Sequence, residues 1–323
     1  MPQAISFRHP VVFLDAGTLP SGLPFDPTQG AQIDYRAYDT TGPEQVAARI
    51  AAACIVIVNK VKLGAAEMAA APHLRRICVA AAGTDNIDLQ AAAARGIEVF
   101  NVPDYGSEAV AEHAMASLFA LRRHLLTYAT AARDGRWSNA PAFCWHGPQI
   151  RNLSGSLLGV LGRGRIGQAT ARMAQALGMR VVFAQRAGRP AAADEWPLDE
   201  LLAQADAISL HLPLNADTRG LMNSDRLARM RPDAVLINTG RGAVVDAQAL
   251  ADALRDGRLA GAAIDVLDVE PPPPDHPLLA ADIPHLLLTP HVAWASREAQ
   301  GRLASRLVDL VVDGLEALSP PTP

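Results

Sequence analysis

The most informative stretch of the sequence is Leu157-Leu158-Gly159-Val160-Leu161-Gly162-Arg163-Gly164-Arg165-Ile166-Gly167. Its apolar first half predicts a buried strand, and residues 162–167, hereafter the glycine turn, lead into a helical stretch that ends near Gly178. In such a turn the first glycine permits the tight bend, the second lets backbone amides approach a pyrophosphate, and the third lets the helix pack on the strand. Because the helix start adds partial positive charge, the segment predicts a dinucleotide site of the Rossmann type.

The next predicted strand, Val181–Ala184, follows at the expected distance, which makes a glycine-rich turn without a ligand the weaker alternative. A site that prefers NAD normally ends this strand with Asp or Glu, which holds the adenine ribose hydroxyls. Here the chain has Gln185-Arg186, with Arg189 nearby. Without the carboxylate a 2'-phosphate is no longer repelled, and either arginine could bind it. NADP is therefore the favoured cofactor; the open alternative is that both arginines are solvated and that NAD is accepted.

Short apolar runs alternate with Ala-rich helical stretches along the chain, which is typical of an α/β fold with parallel sheets. The predicted strands of a first, smaller sheet are Val11–Leu14, Ile33–Tyr38, Cys54–Val58, Arg76–Ala81 and Glu98–Asn101, with helices starting near Pro43 and Asp88. The predicted strands of a second sheet are Leu157–Leu161, Val181–Ala184, Ala207–Leu212, Ala234–Asn238, Ala262–Val266 and Leu286–Thr289, before a last helix over residues 296–318. A chain of 323 residues exceeds what one hydrophobic core usually organises, so we expect two domains.

Composition narrows the choice of partners. Half of the residues are apolar, 19% are charged and the formal net charge is -4, so the chain offers no broad basic field for nucleic acid or anionic lipid. Cys54, Cys78 and Cys144 are not spaced as zinc ligands, and we predict reduced thiols in a cytosolic protein and no metal site. No segment has about 20 uninterrupted apolar residues, and the start of the chain lacks a long apolar run. We therefore predict small-molecule partners, no export and no membrane span.

Residues 108–134 form an Ala/Leu/His-rich stretch with helical spacing, followed by loop-like sequence over residues 135–141. Two interpretations stay open for it. The stretch is either an arm that packs on another subunit or a long interior helix.

Polar residues follow the last three predicted strands, at the edge where open α/β sheets bind ligands. Arg241 comes after the first of them, Glu270 after the next and His291 after the last. Reduction of a 2-oxo acid needs a hydride at C2, a proton for the oxygen and a counter-charge for the acid group. Arg241 offers paired donors that match a carboxylate, and an imidazole oriented by a carboxylate is an effective proton donor. These residue types predict an oxidoreductase site.

Taken alone, each of these three residues has an ordinary structural explanation. His291 could be a satisfied loop histidine, Glu270 a carboxylate at a helix start, and Arg241 part of a surface ion pair. Their joint placement at the strand ends of one dinucleotide-binding sheet favours catalysis.

Seven segments spread over nearly the whole chain form an ordered set of motifs. They are Val11–Asp15, Ala81–Asp88, Val110–His113, the glycine turn, Asn238–Gly242, Asp265–Pro271 and Thr289–Ser296. In this order they resemble the D-isomer-specific 2-hydroxyacid dehydrogenase family, and most closely its glycerate dehydrogenase (hydroxypyruvate reductase) members.

The resemblance implies Arg241 as the carboxylate binder, His291 as the acid/base and Glu270 as its partner. For the substrate it adds Ala82, Gly83 and Thr84, whose backbone amides would hold the acid group, with Asn59, Lys60 and Trp294 at the pocket. The cofactor contacts predicted from the turn, the second strand and the resemblance are Gly162, Arg163, Gly164, Arg165, Ile166, Gly167, Gln185, Arg186, Arg189, His211, Leu212, Pro213, Thr218, Thr239, Gly240, Arg241, Asp265 and His291. Among them, Asp265 would face the nicotinamide carboxamide. Ordinary turn chemistry, and simple packing for Trp294, are the alternatives.

The resemblance also implies two doubly wound parallel-sheet domains, with a Rossmann cofactor domain inserted into a flavodoxin-like substrate domain. We place the substrate domain at residues 1–102 and 291–323 and the cofactor domain at 103–290, with a possible dimerisation arm at about 108–150. A homodimer is the implied assembly.

Two departures from the family pattern bear on specificity. Gln185 replaces the acidic residue of the second cofactor strand, and Thr84-Asp85 stands where glycerate-type members commonly have an aromatic residue and Asn. Hydroxypyruvate or glyoxylate is the leading substrate class. The alternatives are a D-lactate-type or longer 2-oxo acid reductase and, in another class, a non-catalytic protein that senses NAD(H).

Overall fold

The computed structural model describes residues 9–20, 25, 33–186 and 188–318. The chain divides into two compact units: the first takes the described residues up to Tyr105 and from Ser296 onward, and the second is Gly106–Ala295. The predicted boundaries were 102/103 and 290/291, whereas this division lies at 105/106 and 295/296 and places His291 and Trp294 in the second unit. Which unit binds substrate and which binds cofactor stays a prediction. The expectation that the chain start carries no export signal concerns residues that are mostly outside the described ones.

The helices and strands are numbered in chain order. The described strands are β1 (Pro10–Phe13), β2 (Asp34–Ala37), β3 (Ile55–Val58), β4 (Arg76–Val79), β5 (Glu98–Asn101), β6 (Leu157–Leu161), β7 (Arg180–Ala184), β8 (Glu195–Trp196), β9 (Ala207–Leu210), β10 (Val235–Asn238), β11 (Gly261–Ile264) and β12 (Leu286–Leu288). The described α-helices are α1 (Pro43–Ile50), α2 (Ala65–Ala69), α3 (Leu89–Ala94), α4 (Ser107–Arg122), α5 (Leu125–Ala131), α6 (Arg165–Ala176), α7 (Leu198–Gln204), α8 (Ser224–Arg229), α9 (Ala247–Arg255) and α10 (Arg297–Leu318).

The first unit is built on a parallel sheet of five strands in the order β2-β1-β3-β4-β5, the flavodoxin-like order. Every residue of β3 and β4 is buried, as expected of central strands with both faces covered. Helix α10 returns the chain to this unit and lies close to β4. A Cβ added at Gly314 of this helix would meet the side chains of Arg76 and Ile55 at 2.9 Å.

The second unit is built on a parallel sheet of seven strands in the order β12-β11-β10-β9-β6-β7-β8. Read from β8, this is the Rossmann order with one further strand at the other edge. Alternate residues of β6 belong to different apolar clusters: Leu157 and Leu161 to one, Leu158 and Val160 to the other. Because alternate residues point to opposite faces of a strand, both faces of this sheet are covered. The predicted fold class is confirmed.

Several predicted strands end earlier than expected, and one strand was missed. The prediction carried the strand after residue 207 to Leu212, but β9 ends at Leu210. The missed strand is β8, a pair of residues beside β7 at the sheet edge, too short for any periodicity to reveal.

The stretch from residue 108 to 134 contains two helices rather than one, because His124 has a positive φ of 49° between α4 and α5. Helix α4 buries Ala114, Met115 and Leu118 in the same apolar cluster as Val160 of the sheet. The interior-helix interpretation therefore describes α4. The arm interpretation stays a prediction for the residues that follow.

The described residues contain neither a membrane-spanning helix nor a metal-binding cluster. No helix there is both long and apolar enough to cross a bilayer. No cluster of three or more His, Cys, Asp or Glu side chains there is arranged to hold a metal ion.

Candidate active site

The glycine turn joins β6 to α6, and each of its glycines stands in a different environment. Gly162 has φ 107°, and a Cβ added there would lie 2.2 Å from the carbonyl oxygen of His211. A Cβ at Gly167 would lie 2.0 Å from the carbonyl oxygen of Gly162, whereas one at Gly164 would meet nothing within 4 Å. The outer glycines are therefore required by close packing, and the middle one borders open space.

Helix α6 starts beside this open space without a side-chain cap at Gly164. The first N–H groups of a helix have no partner within the helix, and they carry partial positive charge. A pyrophosphate needs free space beside the helix start and N–H groups that no side chain has capped, and the start of α6 at Gly164 has both. The glycine turn thus fits the phosphates of a dinucleotide.

Two buried polar atoms just beyond the ends of β9 and β10, in the same sheet as β6, lack partners among the described residues. They are Nδ1 of His211, just after β9, and Oγ1 of Thr239, just after β10. The other ring nitrogen of His211 lies 2.9 Å from Oγ of Ser209. Burial lowers the pKa of His211 to about 4, so its ring is neutral at pH 7. Because unpaired buried polar atoms are costly, their position at the ends of parallel strands, where open α/β sheets bind ligands, fits a bound ligand that supplies the missing partners.

The residues after β7 and β9 form loops of their own. The Gln185 side chain donates through Nε2 to the carbonyl oxygen of Arg189 at 2.9 Å. Arg186 and Arg189 are both exposed, as a surface loop would have them. The hydroxyl of Thr218 donates to the carbonyl oxygen of Pro213 at 2.6 Å and closes the loop after Leu212. The cofactor contacts predicted for these residues stay predictions.

His291 and Glu270 are in direct contact. Nδ1 of His291 lies 2.6 Å from Oε2 of Glu270, and the other carboxylate oxygen, Oε1, accepts a hydrogen bond from the backbone N–H of Leu267 at 2.8 Å. Both side chains are about one-third exposed, at 28% and 34%. The carboxylate thus holds the imidazole by Nδ1. In this orientation Nε2 is the ring nitrogen that Glu270 leaves for another partner.

Asp265, which follows β11, anchors the loop that carries His291. Its buried carboxylate accepts hydrogen bonds from the backbone N–H groups of Val292 at 3.0 Å and Ala293 at 2.9 Å. Oγ1 of Thr289 donates to the same carboxylate at 2.6 Å. The N–H of His291 donates to the carbonyl oxygen of Asp265 at 2.8 Å. Asp265 therefore fixes the loop that carries His291. Its contact with the nicotinamide carboxamide stays a prediction.

Arg241 lies on a tight loop that is organised by Asn238 at the end of β10. The fully buried Asn238 side chain accepts from the N–H of Gly240 at 3.1 Å and donates to the carbonyl oxygen of Arg241 at 3.0 Å. A Cβ added at Gly242 would lie 1.9 Å from the carbonyl carbon of Leu267. Since the N–H of Leu267 holds Glu270, the structure packs the Arg241 loop directly against the Glu270 loop.

One further pair in this region gave no signal in the sequence. Buried His276 lies with Nε2 2.9 Å from Oδ1 of Asp268, and its Nδ1 accepts from the N–H of Leu278 at 3.2 Å. This hydrogen bond from His276 lowers the pKa of Asp268. The pair spans the proline-rich segment that follows Glu270. Neither the spacing of the two residues nor their types distinguished them from ordinary loop residues.

The predicted substrate residues of the first unit follow β3 and β4. Asn59 is buried, and its Nδ2 donates to Oγ1 of Thr18 at 2.9 Å. Buried Asp15 accepts from the N–H groups of Asn59 at 2.8 Å and Lys60 at 2.6 Å, an organising role that sequence reasoning missed. Both the backbone N–H and the side-chain Nδ2 of Asn59 are therefore hydrogen-bonded within the first unit.

The remaining predicted substrate residues also lie in loops. The carbonyl oxygen of Ala82 accepts from Nδ2 of Asn101 at 2.5 Å, and Gly83 and Thr84 follow in the same loop. In the second unit, Trp294 donates through Nε1 to the carbonyl oxygen of His291 at 3.0 Å and so braces the histidine loop. The roles of these residues in substrate binding stay predictions.

Known proteins with similar sequences and structures agree on a family. Residues 115–293 match the model of the D-isomer specific 2-hydroxyacid dehydrogenase, NAD binding domain. The chain is 42% identical over 279 residues to a glycerate dehydrogenase of Methylorubrum extorquens, covering 86% of this chain and 88% of that protein. It is 36% identical over 291 residues to a hydroxypyruvate reductase of Blautia hydrogenotrophica, covering 89% and 88%. An NADPH-dependent glyoxylate/hydroxypyruvate reductase from Sinorhizobium meliloti, solved with NADP and malonate, superposes with a TM-score of 0.80 at 30% identity, covering 98% of this chain and 96% of that one.

Proposed function

Because the chain belongs to the D-isomer specific 2-hydroxyacid dehydrogenase family and is an oxidoreductase, we propose that it reduces hydroxypyruvate or glyoxylate with a nicotinamide dinucleotide. The reverse reaction would oxidise glycerate or glycolate. The contact of 2.6 Å between Nδ1 of His291 and Oε2 of Glu270 carries this proposal. It is the arrangement that an acid/base imidazole needs at the strand ends of a dinucleotide-binding sheet.

The cofactor would be held at its phosphates by the glycine turn and the start of α6. When bound, it supplies the hydride that is delivered to C2 of the 2-oxo acid. Its site accounts for the open space at Gly164 and for the unpartnered atoms of His211 and Thr239. We propose NADPH as the preferred form, because Gln185 carries no charge and the arginines at 186 and 189 are exposed.

We assign to His291 the transfer of the proton to the oxygen on C2 of the 2-oxo acid. With Nδ1 held by Glu270, protonated His291 donates from Nε2 to the developing alkoxide oxygen on C2. In the reverse direction the same nitrogen accepts the proton of the hydroxyl group. Glu270 provides the acceptor for Nδ1–H in both directions.

Arg241 is assigned to the substrate carboxylate. A guanidinium can present two parallel N–H donors, the geometry that a carboxylate matches best. In the structure Nη1 of Arg241 donates to the carbonyl oxygen of Gly240 at 2.9 Å. Asn238 sets the backbone from which this side chain starts, and the contact between Gly242 and Leu267 keeps it close to the Glu270 loop.

The test is a panel of 2-oxo acids assayed with both NADH and NADPH, on the wild type and on His291→Gln. We expect turnover with hydroxypyruvate or glyoxylate, a higher kcat/KM with NADPH, and a loss of about 10²–10⁴-fold in kcat for the variant. His285→Gln is the matched control. Like His291, His285 has a positive φ of 55°, but it lies directly before β12, at the strand end opposite to the one that leads to His291.

Three results would decide against parts of this proposal. No turnover with any 2-oxo acid, together with intact dinucleotide binding, would make the chain a sensor of NAD(H) instead of an enzyme. Preference for pyruvate or longer 2-oxo acids would move it to the D-lactate type. A strong preference for NADH would remove the predicted role of Arg186 and Arg189.

A further inference from the structure

Arg163, between the first two glycines of the glycine turn, is held by two carboxylates. Its Nη1 and Nη2 each lie 2.8 Å from one oxygen of Asp194, and Nη1 lies 3.3 Å from Oε1 of Glu195. The guanidinium lies over the ring of Phe183, 4.6 Å from its centre. A paired contact of this kind fixes the orientation of the guanidinium as well as its position.

The two acidic residues are brought to this place by β8. Glu195 of β8 pairs with Phe183 of β7, and the N–H of Phe183 donates to the carbonyl oxygen of Asp194 at 2.9 Å. The end of β7 is where a dinucleotide site holds the adenine ribose. Asp194 and Glu195 therefore lie next to the strand end at which Gln185 replaces the usual acidic residue.

This arrangement changes the charge that a 2'-phosphate would meet. Hydrogen bonds from Arg163 lower the pKa of Asp194, so that carboxylate is ionised at neutral pH. The positive charge of Arg163 is thereby balanced, and Glu195 adds a second carboxylate to the cluster. The N–H groups that Arg163 donates to Asp194 cannot at the same time be donated to a phosphate.

We propose that Asp194 is a positioning residue for cofactor selectivity: it holds Arg163 against β8 and so weakens the binding of the 2'-phosphate of NADP(H). This inference rests on the proposed function only in requiring that a nicotinamide dinucleotide binds at the glycine turn. The effect of Asp194 limits the preference for NADPH proposed from Gln185, Arg186 and Arg189 but does not reverse it. Removal of the Asp194 charge releases the guanidinium of Arg163, which then binds the phosphate.

The test measures the Kd of NADP⁺ and of NAD⁺ by isothermal titration calorimetry on the wild type and on Asp194→Asn. We expect the Kd of NADP⁺ to fall about tenfold, which corresponds to about 1.4 kcal/mol. The Kd of NAD⁺ should change by less than about twofold, since an exposed ion pair alone contributes little. The control is Asp199→Asn, which removes the exposed ion pair of Asp199 with Arg229 at 2.6 Å in the same unit, and it should leave both constants unchanged.

A double variant shows whether the gain passes through Arg163. Arg163→Gln in the Asp194→Asn background should return the ratio of the two Kd values to that of the wild type. If folded Asp194→Asn keeps the wild-type ratio of the NADP⁺ and NAD⁺ Kd values, the inference is overturned. It is also overturned if the double variant keeps the tighter binding of NADP⁺. A wild type that binds neither dinucleotide overturns the proposed function itself, and this is seen before any variant is made.

Discussion

Glu270 makes a bond with each of its carboxylate oxygens, and each bond has a separate consequence. Oε1 accepts from Leu267 at 2.8 Å and fixes the loop, whereas Oε2 faces Nδ1 of His291 at 2.6 Å. Glu270→Gln keeps one acceptor for Leu267 but turns an NH₂ group toward His291. The protonated ring then loses its acceptor, so we expect kcat to fall about 10²-fold. The pH profile of kcat should change with it, while the Kd of the cofactor stays the same; full activity would contradict the assignment of the acid/base pair.

The ring of His211, whose Nδ1 atom is buried, makes the stability of the second unit depend on pH. Burial lowers its pKa in the folded chain to about 4, below the ordinary value of 6.5. Between these values the unfolded chain binds more protons, so the folded state loses stability as pH falls from 6.5 toward 4, by about 1.4 kcal/mol per pH unit. His211→Gln should reduce this loss. Urea unfolding of the cofactor-free protein at pH 7.5, 6, 5 and 4.5 checks it, and equal acid slopes for both proteins would contradict it.

At the level of loops and helices, two glycines allow a matched comparison. A Cβ at Gly242 would lie 1.9 Å from a backbone carbon of Leu267, whereas a Cβ at Gly301 in α10 meets nothing within 4 Å. Gly242→Ala must push the Arg241 and Glu270 loops apart, at about 1–3 kcal/mol. Gly301→Ala should instead stabilise the protein by about 0.5–1 kcal/mol. Urea unfolding and kcat are the measurements, and only the first variant should lose activity; equal effects would contradict the packing argument.

The strands were predictable where a run of apolar residues coincides with one strand. The segments 98–101 and 157–161 were predicted with the bounds that the structure has. A predicted strand was too long where backbone hydrogen bonds to the neighbouring strand continue beyond the strand end. The N–H of His211 still donates to the carbonyl oxygen of Leu161 at 2.7 Å, although β9 ends at Leu210. The prediction failed for β8, which exists only because it pairs with β7.

The part of the candidate site that depends only on the order of parallel strands could be predicted from the sequence. Side chains that follow neighbouring strands come to the same edge of a sheet, and the direct contact of His291 with Glu270 agrees with that expectation. Contacts between loops do not follow from strand order. The Asp268–His276 pair and the capture of Arg163 by Asp194 depend on how loops fold over one another, for which the sequence has no periodic signal.

For the whole molecule, the exposed apolar residues predict association with a second copy. Six of the large apolar side chains that are exposed lie between residues 119 and 150, among them Leu126 at 60% and Phe143 at 91% exposure. Large apolar patches on soluble proteins commonly mark interfaces. We expect the wild type to sediment as a dimer and Leu126→Arg and Phe143→Arg to shift it toward the monomer, because a buried charge without a partner is costly. Leu89→Arg, at a site in α3 that is 50% exposed, is the control and should leave the dimer intact. Sedimentation velocity across a range of concentrations distinguishes these outcomes; a monomeric wild type, or dimers that persist in both arginine variants, would rule out this surface as the interface.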